Sequence, residues 1–163
     1  MMDAERFKKE FLPYHRKLFA VAFKLLESSD DAADAVQDAY LKLWERRNEL
    51  TQIDNIEAFA TTIVRNLCLD LLRSNRYHQA RDWIELEHAP DASDEEQREI
   101  HEKAGQIRQL IRQLPATQQQ VMRMRDVQGC SMDEISHVTG LQAANIRVIL
   151  SRARKQIREA FNK

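Results

Sequence analysis

Apolar positions along this chain recur with the spacing of α-helices. From Phe7 to Leu26 they fall at Phe7, Phe11, Leu18, Ala22 and Leu25. The stretch SSDDAAD that follows predicts a new helix start. Ser29 is the expected cap, and the acids of the first turn complement the positive end of the helix dipole. This second helix carries Val36, Tyr40, Leu43 and Trp44 on one side. RNELTQIDN, Arg47 to Asn55, predicts a polar loop. Asp54 with Glu57 three residues on has the spacing of a capping box, and a third long helix is expected from there to about Asn75.

After Tyr77 the pattern fades. HAPDASDEEQRE, His88 to Glu99, is acidic, contains a proline and has no apolar period, so it reads as a linker. A second helical unit begins near Ile100, with Pro115 at a helix start and Gly129 just past a helix end. The expected organisation is a helical domain over residues 1–77, an acidic flexible linker over 78–104 and a second helical domain over 105–163.

The most specific local signal lies in CSMDEISHVTG. Ser131 and Glu134 make an S-x-x-E capping box, which starts a helix. Gly140 ends it after about two turns, because glycine takes the left-handed backbone of a tight helix-to-helix turn without a steric cost. Ser136 is small enough for a second helix to cross closely, and Ile135, Leu141, Ile146 and Ile149 supply apolar contacts. This is the spacing of a helix-turn-helix. In its second helix Ile146, Ile149, Leu150, Ala153 and Ile157 form a stripe to be buried. Arg147, Ser151, Arg154 and Arg158 line another face, widened by Arg152 and Lys155. Such a helix suits a DNA major groove. Asn145, Arg147 and Val148 fall near base edges, where arginine pairs bidentately with guanine and valine touches a thymine methyl. The later arginines reach phosphate. A solvated basic helix on an ordinary bundle has the same arginine spacing; the capping box and Gly140 favour the DNA reading.

Composition narrows the fold class. Three glycines and three prolines in 163 residues, with 31% charged and 43% hydrophobic, favour an all-α protein with enough apolar surface for a core. No apolar run approaches the ~20 residues of a membrane span. MMDAERFKKEF lacks the apolar core of a signal peptide, so the expectation is a cytoplasmic protein without membrane insertion. Cys68 and Cys130 are far apart, without metal-ligand spacing, and are expected to be reduced and semi-buried. His15, His78, His88, His101 and His137 are scattered. The chain contains no H-E-x-x-H, P-loop or glycine-rich fingerprint, so no enzyme, metal or cofactor is expected. The net charge of -1 hides an asymmetry. Residues 1–77 hold 12 basic and 13 acidic side chains, residues 78–104 hold 3 and 9, and residues 105–163 hold 10 and 4. A basic C-terminal third is an electrostatic footprint for a polyanion.

Three stretches together resemble a known family. DAADAVQDAYLKLWERRNEL and NIEAFATTIVRNLCLDLLRSNR are similar to the two central helices of a bacterial sigma factor, and LPATQQQVMRMRDVQGCSMDEISHVTGLQAANIRVILSRARKQIR is similar to its upstream-element domain. In that order, with only an acidic linker between, the chain resembles an extracytoplasmic-function (ECF) sigma factor of the sigma-70 family. The resemblance implies promoter DNA and core RNA polymerase as partners, through the β′ clamp helices and the β flap, with duplex opening at the downstream element. It implies that the helix bearing Asp34, Val36, Gln37 and Asp38 docks on the clamp helices. With Val36, Tyr40 and Leu43 facing the core, Gln37, Asp38 and Leu41 are left outward as the contact patch; the same residues also suit a solvated acidic face. The loop from Asn48 to Ile56, including Asn55, matches the one that captures a flipped base. Arg65, Asn66, Arg73 and Arg76 match the strand-gripping helix, where cations serve phosphate and flat groups serve unstacked bases. Phe59 and Tyr77 are stacking candidates, Phe59 equally a core residue, and Asp70 either contacts DNA or pairs with Arg73 or Arg65.

The implied upstream-element contacts are Asn145, Arg147, Val148, Ser151, Arg152 and Arg154. Here the chain departs from the usual small-Thr-Val-Lys-Ser-Arg run: Asn145, Val148 and Ile149 stand in place of Thr, Ser and Arg. Ala33 stands where an acid is common, and Thr61 and Thr62 where an aromatic and an arginine are frequent. These differences bear on promoter sequence. The resemblance also implies an anti-sigma factor as a further partner. A competing reading is a stand-alone helix-turn-helix regulator, which leaves the Gln37 patch and the third-helix arginines without a role.

Overall fold

The computed structural model describes residues 2–74 and 95–162, all of its regular structure helical, in two compact units, Met1–Glu85 and Leu86–Lys163. In the first unit α1 spans Ala4–Phe11 and α2 spans His15–Leu26. They are joined by a 3₁₀ turn, Leu12–Tyr14, that contains Pro13. The apolar period from Phe7 to Leu26 thus runs through a joint: proline lacks an N–H and its ring crowds the preceding turn. Asp3 caps α1 by accepting the Arg6 N–H at 2.8 Å.

Between α2 and α3 (Ser29–Glu45) the chain reverses in two residues. Glu27 takes a left-handed conformation at φ 58°, the role glycine usually fills, and Ser28 accepts the Asp31 N–H at 3.2 Å. The cap is therefore Ser28, one residue before the expected Ser29, because the left-handed turn leaves Ser28 extended at the helix entrance. The stretch expected to be a polar loop contains a short helix, α4 (Arg47–Leu50), whose Leu50 is buried. One leucine suffices to fold that segment inward. The long helix α5 (Ile56–Arg73) is capped by Asn55, whose side chain accepts the Ala58 N–H at 3.0 Å, and not by Asp54. Glu57 instead pairs with Lys17 of α2.

The core of this unit joins Phe11, Leu18, Leu25, Val36, Leu43 and Val64. Ala22, Ala32, Ala39 and Ala60 are fully buried among them, and these small side chains let α2, α3 and α5 approach closely. Each buried large aliphatic side chain contributes roughly 1.5–3 kcal/mol.

In the second unit α6 spans Glu95–Arg112, so residues 95–104 of the expected linker are helical. Its acidic first turn suits a helix N-terminus. Asn75, Arg76, Tyr77, His78 and His88, on which sequence expectations fell, lie outside the described residues. Pro115 precedes α7 (Ala116–Met122), which runs into a π-helical segment, Arg123–Val127, and Gly129 follows at φ 70°. α8 (Met132–Thr139) and α9 (Ala143–Phe161) complete the unit. Its core is Ile111, Val121, Met124, Cys130, Ile135, Ile146, Leu150 and Ala153. Among the described residues no helix is long and apolar enough to cross a membrane.

Two glycines of this unit have opposite roles. Gly140 sits at φ 76° with open space around an added methyl, whereas Gly105 lies inside α6, also with open space. Gly140→Ala is expected to cost about 1–2 kcal/mol through the backbone alone. Gly105→Ala is expected to gain about 0.5–1 kcal/mol by restricting the unfolded chain. Urea midpoints moving in opposite directions would bear this out; a shift of the same sign for both would refute it.

Candidate nucleic-acid interface

The helix-turn-helix is built from local bonds. Ser131 Oγ accepts the Glu134 N–H at 3.1 Å, and the Glu134 carboxylate accepts the Ser131 N–H at 2.8 Å. Both bonds of the expected capping box are therefore present. Gly140 donates its N–H to Ser136 O at 2.8 Å and closes α8. The Ser136 hydroxyl donates to Leu141 O at 2.7 Å, so this small residue also ties down the turn.

On α9, Ile146, Leu150, Ala153 and Ile157 are buried and Ile149 is half-buried, as the apolar stripe required. Asn145, Arg147, Val148, Ser151, Arg152 and Arg154 are all exposed. Val148 keeps 47% of its surface in water. Arg147, Ser151, Arg154 and Arg158 line one open hollow of about 470 Å³, with Arg125, Met132 and Leu150 completing its walls. Sequence reasoning missed Arg125 and its neighbour Asp126. Arg125 donates through Nη1 to Cys130 O at 2.9 Å. Asp126 holds Arg154 by two bonds, Nε to Oδ2 at 3.0 Å and Nη2 to Oδ1 at 2.6 Å, which raises the guanidinium pKa further. The second contact has no sequence signal, because Asp126 and Arg154 are 28 residues apart.

In the first unit, Asp34, Gln37, Asp38 and Leu41 are all exposed on α3, spaced so that they share one face. Val36, Ala39 and Leu43 are buried behind them. Leu41 is 57% exposed, an apolar side chain set among acids. Tyr40 is half-buried and stacks on His15, with ring centroids 5.9 Å apart, so it faces α2 more than the core proper.

On α5, Asn66 and Arg73 are exposed, Arg65 is half-buried and Asn55 is committed through its carbonyl to capping. Arg76 lies outside the described residues. Phe59 is half-buried with the Arg46 guanidinium 5.5 Å above its ring, and Arg47 lies 4.1 Å from the Trp44 ring. Sequence reasoning did not single out these two arginines; the signal was the Arg46-Arg47 pair directly after Trp44. An arginine on an aromatic face presents both a cation and a flat surface at the entrance to the Asn48–Ile56 segment. Cys68 lies on the buried side of the same helix, where burial lifts its thiol to about 12 against the opposing pull of Arg65. Among the described residues no three histidine, cysteine, aspartate or glutamate side chains gather as a metal site.

Comparison with known proteins gives two family matches: Sigma-70 region 2 over residues 11–77 and Sigma-70, region 4 over residues 104–157. The ECF RNA polymerase sigma factor SigM of Mycobacterium tuberculosis is 25% identical over 155 residues, covering 95% of this chain and 76% of that protein. RNA polymerase sigma factor SigV of Bacillus subtilis is 21% identical over 150 residues, covering 92% and 87%. Among solved structures, sigma factor RpoE of Bartonella quintana, in complex with the anti-sigma factor NepR, matches at 24% identity, 96% coverage of each chain and a TM-score of 0.46.

The buried thiols give a direct test. Cys68 and Cys130 are in no disulfide and are buried, so neither is expected to react with a thiol reagent at pH 8 until the chain unfolds. The folded Cys68 keeps its proton from its ordinary 9.0 up to about 12, while the unfolded thiol loses it. Stability is therefore expected to fall as pH rises through that window, and Cys68→Ala to flatten the fall. An unchanged pH dependence in the variant would remove Cys68 as its source.

Proposed function

The chain belongs to the sigma-70 family as an ECF sigma factor, directing RNA polymerase to specific promoters and initiating transcription, and from this premise we propose how its surfaces divide the work. In this reading the α3 face of Asp34, Gln37, Asp38 and Leu41 docks on the clamp helices of the β′ subunit. The apolar Leu41 supplies burial, and the flanking acids and amide supply orientation. The observation that carries this is the exposure of Leu41 on a polar helix face behind which Val36, Ala39 and Leu43 are buried.

Asn55, Arg65, Asn66 and Arg73, with Arg76 beyond the described residues, hold the opened strand of the downstream element, and Arg46 and Arg47 extend that surface. Opening needs no catalytic group. Contacts to flipped bases and to phosphate offset the few kcal/mol of unstacking. The α9 helix enters the major groove of the upstream element. Asn145, Arg147 and Val148, nearest its N-terminus, read base edges, and Ser151, Arg152 and Arg158 reach toward the backbone. The second unit meets the β flap while it does so. Val148 in place of a polar reader favours a thymine methyl at its position.

Co-elution with core RNA polymerase tests the docking face. Gln37→Ala/Asp38→Ala is expected to weaken tight binding by the wild-type chain; retention of full binding would remove α3 as the main contact. No binding by a folded wild-type chain would instead point to a regulator that acts on DNA alone. For the second unit, Arg147→Ala is expected to cost roughly 1–3 kcal/mol of upstream-element binding and to relax base preference at one position. Arg158→Ala is expected to flatten the salt dependence without changing preference. A change of base preference in Arg158→Ala would overturn the assignment of faces.

A further inference from the structure

The four arginines around the α9 hollow are not equivalent. Arg147 and Arg158 make no ion pair among the described residues, so their charges are available to a ligand. Arg125 is tied to a backbone carbonyl. Arg154 is tied twice to the Asp126 carboxylate, from a segment that lies outside the helix-turn-helix itself. A bidentate arginine–carboxylate pair fixes the guanidinium plane and occupies two of its five donors. It also cancels the positive charge locally. Of the whole basic face, Arg154 alone among the described residues meets an approaching polyanion already neutralised.

That matters because charge alone does not discriminate. Each cation that neutralises a phosphate adds affinity for any duplex and steepens its salt dependence, whatever the sequence. Resting on the reading of α9 as the DNA-facing helix, we propose that Asp126 is a specificity-determining residue: it withholds Arg154 from phosphate and so limits indiscriminate duplex binding by the recognition helix. The pair is partly exposed, with side chains 46% and 32% accessible, and surface pairs contribute little to folding, so its removal leaves the fold in place. Its effect is on which DNA the helix holds.

The experiment uses the full chain and a fluorescent 30-base-pair duplex of mixed sequence, titrated across sodium chloride concentrations. Asp126→Asn, which keeps the shape and removes the charge, is expected to bind this duplex more tightly at low salt. The slope of log K against log salt is expected to steepen by about 0.9, which is about eightfold over a tenfold change in salt. The gain is expected to vanish in Asp126→Asn/Arg154→Ala. A gain that survives in the double variant would mean that Asp126 acts by general charge and not through Arg154. No gain in the single variant, with the fold intact by circular dichroism, would overturn the proposal outright. Arg147→Ala, run alongside, separates the underlying reading: if it fails to weaken duplex binding, α9 is not the DNA-facing helix. If it weakens binding while Asp126→Asn leaves the slope unchanged, only the role of Asp126 is lost.

Discussion

A nineteen-residue helix that buries one apolar stripe must turn its other faces to water, and this constraint on α9 organises the second unit. Ile146, Leu150, Ala153 and Ile157 are buried against the helices Glu95–Arg112, Ala116–Met122 and Met132–Thr139. Once they are buried, the arginines at the remaining angles are fixed in direction by helical geometry alone. The turn at Gly140 then only has to deliver the helix at the right angle, and the Ser136–Leu141 bond holds it there. Burial thus converts a sequence period into a directed charged surface, at no cost beyond that of forming the core.

The first unit follows the same logic with a different solution. Its core is lined with alanines, so α3 lies close to its neighbours and its outer face is presented rigidly. An exposed Leu41 on such a face does not disturb the fold, since the helix is already held by Val36, Ala39 and Leu43. The face is free to be shaped by what it binds. The Arg46–Phe59 and Arg47–Trp44 contacts extend this principle, using half-buried rings as platforms that hold guanidinium groups at the surface.

Much of this was legible in the sequence where the determining contacts are local. The Ser131–Glu134 box, Gly140 and the α9 stripe involve residues within a turn or two of each other, so spacing reveals them. The all-helical class followed from the scarcity of glycine and proline. The misses have a common physical form. Ser28 and Ser29, or Asp54 and Asn55, are adjacent residues with equal capping chemistry, and the choice is made by backbone angles that tertiary packing sets. Leu50 looks like part of a polar loop because a single apolar residue among polar neighbours shows no helical period. The start of α6 at Glu95 was hidden by acids that read as linker composition but equally favour a helix N-terminus.

The Asp126–Arg154 pair shows why the electrostatic part of a site resists such reading most. The count of ten basic against four acidic residues in the last third gives a basic excess but not which charges are available on it. Availability depends on the π-helical segment Arg123–Val127, where Gln128 bonds back to Arg123 O at 2.8 Å, five residues away. A π turn holds one more residue than an α turn, so every side chain after it is rotated from its α-helical register. Here that irregularity contains Asp126, whose carboxylate tethers Arg154 of the hollow. A regular helix through the same residues would aim Asp126 elsewhere. The departure from ideal geometry therefore decides how much of the basic charge is free, and with it how far binding by charge can outrun binding by sequence.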